Sequence, residues 1–266
     1  MMEVVFDKLH GLGNDYIYVD LDRYAIDDLP AFARKVSDRR FGIGGDGVIT
    51  YNKEHTGHYL MRIFNIDGSE GLMCGNAIRC VAKLLYERGM CTDNPMTINT
   101  RSGEKILALT VEEGQVTAAR VDMGVPTVID TAMPVGDLQG TSVSTGNPHF
   151  VRFISNDPDD YPLQVEGPQV ERHPVFPDGV NYEVAQIIDR STIKMRVWER
   201  GSGLTLACGT GATATAVAAI AQQLADSPVR VMMPGGDLSI EWSGDPADSA
   251  FMTGPATYVF QGKIMI

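Results

Sequence analysis

Along most of this chain, apolar residues fall at alternate positions in short runs, each closed by Gly, Asp, Asn or Pro. A period of two with that punctuation predicts a protein built largely of strands. The opening VVFDKLHGLGNDYIYVD reads as a strand, a Gly-rich loop from Gly11 to Asp15, and a second strand from Tyr16 to Val19. GIGGDGVITYN is a loop feeding a strand, and HYLMRIFNIDGSE is a strand closed by the turn at Asp67 and Gly68. MTINT, KILALTV, QVTAARVDM, TSVSTGNPHFVRFI, STIKMRVWERG, VRVMMP, DLSIEWS and ATYVFQGKIMI are further expected strands. The segment between Asn156 and Pro177, rich in Pro and Asp, reads as a loop.

Three segments break the period of two. Leu29, Phe32, Ala33 and Val36 are spaced for one face of a helix. Ala77, Val81, Leu84 and Leu85 form the stripe of a second helix, from about Asn76 to Arg88, with Gly89 placed to cap its end. A run of small residues predicts a third, from about Gly211 to Leu224. The last two helices share one order: strand, Cys-Gly-Asn or Cys-Gly-Thr, helix, strands. That order occurs at Cys74 and again at Cys208, about half the chain apart. It points to an α+β protein with two similar α/β halves, each with strands around a central helix. MGVPT, at 123–127, interrupts the pattern, so the halves are expected as 1–124 and 125–255. The C-terminal strand 256–266 is expected to return and complete the first half.

Composition then narrows the partner. The chain has 266 residues, 44% hydrophobic and 21% charged, ordinary values for a globular protein with a sizeable core. A net charge of -12 argues against nucleic acid and against an anionic membrane surface, leaving a small molecule as the expected ligand. With neither a leader-like N-terminus nor an apolar run of bilayer length, the expected location is the cytoplasm. The four cysteines form no CxxC pair and no Cys/His cluster, so neither a disulfide scaffold nor a bound metal is expected.

The remaining question is which thiols react. Free cysteine is commonly a small buried hydrophobe, a role that suits Cys80 inside a helix and Cys91 after its end. Cys74 and Cys208 differ, because each precedes Gly and then Asn or Thr at a helix start. Helix N-termini offer unpaired N–H groups and partial positive charge, which favour a thiolate and can also hold a carboxylate. Gly75 and Gly209 would let a ligand approach the backbone. Two thiols and two amide cradles facing one site suit two-base chemistry at a carbon beside a carboxylate. One thiolate removes a proton and a thiol opposite returns one.

Six blocks extend this picture: HGLGNDY (10–16), RRFGIGGDG (39–47), FNIDGSEGLMCGNAIRC (64–80), GNPHF (146–150), FPDGVNYEV (176–184) and WERGSGLTLACGTGA (198–212). In this order the chain resembles the diaminopimelate epimerase family, and the match runs from residue 6 to about 216. The resemblance implies a cofactor-free, homodimeric isomerase of two domains, with its active site in the cleft between them. It implies interconversion of LL- and meso-diaminopimelate in lysine and peptidoglycan precursor synthesis. By analogy Cys74 and Cys208 are the base pair, Cys208 accepting the α-proton from the LL isomer while Cys74 donates. The backbone N–H groups of Gly75, Asn76, Gly209 and Thr210 would hold the reacting carboxylate. Asn14, Asn65, Asn147, Asn181, Glu199 and Arg200 stand at substrate-contact positions, and His149 and Glu199 at positions that assist the thiols.

From the residues alone, Asn14 and Asn147 equally suit turns, and Glu199 with Arg200 a solvated charge pair. Three positions depart from the family: Gly47 where Gln is frequent, Leu204 where Glu is common, and Ala77 in place of a usual Gly. The first two keep open a related racemase of another amino acid, such as histidine. A thiol redox or small-molecule binding protein is the competing reading from another class.

Overall fold

The computed structural model describes residues 2–266. The chain divides into two compact units, one made of residues up to Val121 together with Gly254–Ile266, the other of Asp122–Thr253. In chain order the first part runs β1 (Glu3–Gly11), β2 (Asn14–Asp20), α1 (Leu29–Ser37), β3 (Gly47–Lys53), β4 (Tyr59–Asn65), β5 (Glu70–Gly71), α2 (Gly75–Glu87), β6 (Met96–Thr100), β7 (Gly103–Glu112) and β8 (Gln115–Gly124). Next come β9 (Thr127–Val135), β10 (Leu138–Ser144), β11 (Pro148–Phe153), α3 (Leu163–Glu171), β12 (Asn181–Asp189), β13 (Thr192–Glu199) and β14 (Gly203–Leu204). Finally α4 (Gly209–Ala221), β15 (Val229–Met233), β16 (Gly236–Glu241) and β17 (Ala250–Gly254) precede β18 (Thr257–Met265), which returns to pair with β1.

In the first unit, β18, β1 and β2 are antiparallel neighbours, β2 is parallel to β3, and β3 antiparallel to β4. β4 is then parallel to β6, which continues antiparallel through β7 to β8. The second unit repeats this succession strand for strand. β9, β10 and β11 are antiparallel, β11 is parallel to β12, β12 antiparallel to β13, β13 parallel to β15, and β15 to β17 antiparallel again. Each parallel step needs a crossover. α1 and α3 supply the first crossover of their units, α2 and α4 the second. In both units a two-residue strand, β5 or β14, folds back on its predecessor just before the cysteine.

The central helices are buried on nearly every side, α2 without a break from Gly75 to Leu85. α4 is built of Ala, Gly and Thr with one Val and one Ile, because strands pack around it and small side chains let them approach. α2 instead encloses charge: Arg79 is fully buried and donates to Gly75 O (2.9 Å), Asn76 Oδ1 (3.0 Å) and Pro255 O (3.1 Å). α1 starts at Asp28, whose carboxylate caps Ala31 N at 2.8 Å. Its Leu29, Phe32, Ala33 and Val36 pack against Phe6, Ile17, Val19, Val48 and Phe64, the stripe its spacing predicted.

The structure corrects the sequence reading in several places. The expected loop 156–177 contains a 3-10 turn and α3. Pro168 lies inside α3, and an internal proline reads as a helix breaker. Even so, Leu163, Gly167 and Val170 lie at helical spacing and are buried. Gly167 is there because the Trp198 ring lies against it, 2.5 Å from where a Cβ would stand, and the indole N–H donates to Glu171 at 2.6 Å. TSVSTGNPHFVRFI is two strands, β10 and β11, turning through Gly146 at φ +92°. The loop from Gly11 to Asp15 shrinks to Leu12 and Gly13, both at positive φ, as a tight hairpin requires. β9 and β12 were not foreseen: β9 is mostly exposed, and β12 opens with five buried residues in succession rather than alternating. α4 begins two residues earlier than its composition suggested, at Gly209.

Candidate active site

In both units the cysteine is the N-cap of the central helix, and the two caps have nearly the same backbone, φ -136° and ψ 117° at Cys74, φ -131° and ψ 114° at Cys208. The residues that follow each thiol therefore begin a helix, where backbone N–H groups lack intrahelical partners. At the first, those are Gly75 and Asn76; at the second, Gly209 and Thr210.

In the first unit Cys74 Sγ lies 3.4 Å from Asn14 Oδ1, and Asn76 Nδ2 lies 3.3 Å from the same oxygen. The Asn14 amide nitrogen donates to Asp46 Oδ2 at 2.7 Å, which turns its oxygen toward the cysteine. Asp46 also accepts from Arg39 at 2.8 Å, and Arg39 in turn pairs with Asp15 at 2.6 Å. Burial alone would raise the Asp15 carboxyl, but Arg39 and Lys8 bring it below its ordinary value. Tyr16 is buried beside Cys74, and burial together with the sulfur's charge holds its phenol well above the usual range. Asn65 ends β4 and donates to Ser69 Oγ at 3.0 Å, closing the turn before β5.

The second unit gathers more of the expected residues. Cys208 Sγ accepts from Gly211 N at 3.4 Å and lies 3.4 Å from Thr210 Oγ1. Thr210 Oγ1 accepts from Asn147 Nδ2 at 3.4 Å, and Asn147 Oδ1 lies 3.1 Å from His149 Nε2. His149 is fully buried, its Nδ1 2.7 Å from Glu183 Oε1. Glu199 accepts from Thr205 Oγ1 at 2.5 Å. Burial raises the Glu199 carboxyl, against the opposing hydrogen bonds of Thr205 and Cys208. Glu199 is half-buried and bonds Thr205, whereas the Arg200 guanidinium bonds Asp178 O, so the two side chains bond to different partners. Burial likewise pushes the Cys208 thiol well above its ordinary value; Glu199 and Glu183 add to this, while Thr210 and Gly211 pull the other way.

Asn181 and Arg200 form an adjoining cluster: Asn181 Oδ1 accepts from Arg200 N at 2.9 Å, and Asn181 Nδ2 donates to Pro148 O at 3.1 Å. The Arg200 guanidinium donates to Asp178 O at 2.8 Å and lines a cavity of about 360 Å³ with Arg172, His173 and Asp178.

Sequence reasoning missed Glu183, Asp46 and Tyr16. The signal for Glu183 was a charged residue among the apolar neighbours of VNYEVAQI. Of the departures, Gly47 has a backbone cause: a Cβ there would run into the carbonyl oxygen of Phe64 on the paired strand. No Gln fits on this backbone. Leu204 is exposed opposite Trp198, and Ala77 is buried within α2. Among the described residues no group of three or more His, Cys, Asp or Glu is placed to hold a metal ion, and no helix is long and apolar enough to cross a membrane.

Solved structures of low sequence identity share the fold. A phenazine biosynthesis protein of the PhzF family from Bacillus anthracis superposes with a TM-score of 0.79 at 17% identity, covering 100% of both chains. A probable proline racemase from Agrobacterium radiobacter gives 0.74 at 15%, covering 99% of this chain and 93% of that one. Curated relatives are much nearer in sequence. One named diaminopimelate epimerase from Bacteroides thetaiotaomicron is 49% identical, covering 98% of each chain. Another of that name from Acetivibrio thermocellus is 44% identical, covering 97% of this chain and 98% of its own length. The family model for diaminopimelate epimerase matches residues 6–129 and 141–259. The chain belongs to the diaminopimelate epimerase family.

Proposed function

We propose that this protein interconverts LL- and meso-2,6-diaminopimelate by two-base proton transfer, without a cofactor, in lysine and peptidoglycan precursor synthesis. The observation that carries the proposal is the repeated N-cap cysteine: each unit presents one thiol at the start of its buried central helix. The thiolate of Cys208 takes the α-proton of the LL isomer as the C–H bond breaks. The Cys74 thiol delivers its proton to the opposite face of the same carbon, and the roles exchange in reverse. Amide N–H groups at Gly75, Asn76, Gly209 and Thr210 hold the reacting carboxylate and take up the charge that develops on deprotonation. Asn14, Asn65, Asn147, Asn181, Glu199 and Arg200 supply the polar contacts for a substrate with two amino acid heads. His149 and Glu199 support the thiol at Cys208. The working form is a cytoplasmic homodimer.

Incubation with LL-diaminopimelate in deuterated water tests this directly. Deuterium should appear at the α-carbon together with meso product, and Cys74→Ala and Cys208→Ala should each abolish turnover. Binding without solvent exchange, or faster exchange into histidine run as a competitor, would overturn the assignment.

A further inference from the structure

The carboxylate of Glu183 lies at the end of an uninterrupted hydrogen-bond chain that finishes on the Cys208 sulfur. Glu183 is fully buried on β12, and its Oε1 lies 2.7 Å from Nδ1 of the equally buried His149. The first turn of α4 passes directly over it: a Cβ on Gly211 would stand 2.6 Å from Oε1. The partial positive charge of a helix N-terminus favours an anion in that place. A carboxylate can only accept, so it takes the Nδ1 proton of His149. The other ring nitrogen, Nε2, faces the Asn147 carbonyl oxygen at 3.1 Å, which also only accepts. Each ring nitrogen therefore faces an oxygen acceptor.

The remaining links follow in order. With its oxygen engaged by His149 and by the Thr145 hydroxyl (3.2 Å), Asn147 presents its NH2 to Thr210 Oγ1. Thr210 thereby accepts, and its own proton is left for Cys208 Sγ, which also receives the Gly211 N–H. We propose that Glu183 is a positioning residue for the Cys208 half of the reaction. By holding His149 as a double donor it sets the Asn147 amide and the Thr210 hydroxyl, and so directs two donors at the sulfur. This rests on the two-base reading above. Donors on sulfur favour the thiolate. They offset a burial that works against it, in a site whose facing ionisable groups are Glu183 on β12, Glu199 on β13 and His149 on β11.

The test begins with the native protein. Nitrogen-15 NMR of ring-labelled histidine should show two protonated nitrogens on His149 at pH 7, its signals assigned by their loss in His149→Gln. A singly protonated ring overturns the proposal and needs neither a folded Glu183 variant nor any activity, so it is separable from failure of the epimerase assignment. Glu183→Gln should remove one ring proton and lower kcat/KM by roughly 10- to 100-fold, the scale of a displaced positioning contact. If Glu183 acts through His149, adding Glu183→Gln to His149→Gln should change kcat/KM less than twofold. Losses that multiply in the double variant, or an unchanged rate in Glu183→Gln alone, overturn it.

Discussion

Replacing Arg79 by methionine would remove one guanidinium from the middle of α2 and should both loosen the first unit and disturb Cys74. The side chain is fully buried and donates to Gly75 O, Asn76 Oδ1 and Pro255 O at 2.9, 3.0 and 3.1 Å. Methionine replaces much of the stem volume but donates nothing. Gly75 O keeps the helical N–H of residue 79 itself. Asn76 Oδ1 and Pro255 O lose a charged donor, at roughly 1–3 kcal/mol for each stranded acceptor. Against this stands relief from burying a cation, since burial already lowers the Arg79 pKa. The net expectation is a loss of about 2–4 kcal/mol, which for a chain of this size is roughly 5–15 °C in Tm. A second effect follows from Asn76. Once Arg79 releases its oxygen, the amide can turn and give up the 3.3 Å contact with Asn14 beside Cys74. Urea unfolding followed by circular dichroism reads the first effect, and kcat/KM for LL-diaminopimelate reads the second. A variant within about 0.5 kcal/mol of the native protein, the spread of neutral surface changes, would refute the reasoning.

Two further outcomes follow from the geometry. Gly47→Gln should destabilise by about 2–3 kcal/mol or more, because its Cβ must displace the paired β4 backbone at Phe64; an unchanged urea midpoint would show that β3 and β4 yield there. Stability should also fall at alkaline pH. Burial raises Cys208 well above its ordinary value and Cys80 to about 11, whereas unfolded thiols ionise near pH ~8.5. Above that pH the unfolded chain binds fewer protons than the folded one, so this contribution is complete below pH ~8.5 and is lost as pH climbs toward the folded values. Urea midpoints measured from pH 7 to about pH 10.5 should decline less steeply in the Cys80→Ala, Cys208→Ala double variant; parallel curves would sink the argument.

What is local and repeated was legible in the chain alone. The order strand, Cys-Gly-Asn or Cys-Gly-Thr, helix is written twice, and each copy folds into the same cap backbone and a buried helix, because a cap and its first turn depend on adjacent residues. The apolar stripe of α1 was legible for a like reason: its period is a property of the run itself. Where local signals conflicted, reading the sequence failed. Pro168 concealed α3, whose place is set by the Trp198 ring lying against Gly167. In β12, burial of successive residues erased the alternation that marks a half-exposed strand. Tertiary structure alone decided the partners. Arg79 meets Pro255 across 176 positions, Cys74 meets Asn14 across 60, and His149 meets Glu183 across 34, distances over which no periodicity carries information. The chain's pattern could put a thiol at each helix start. Only folding, which brings a buried carboxylate within reach of His149, decided which hydrogen bonds end on the sulfur.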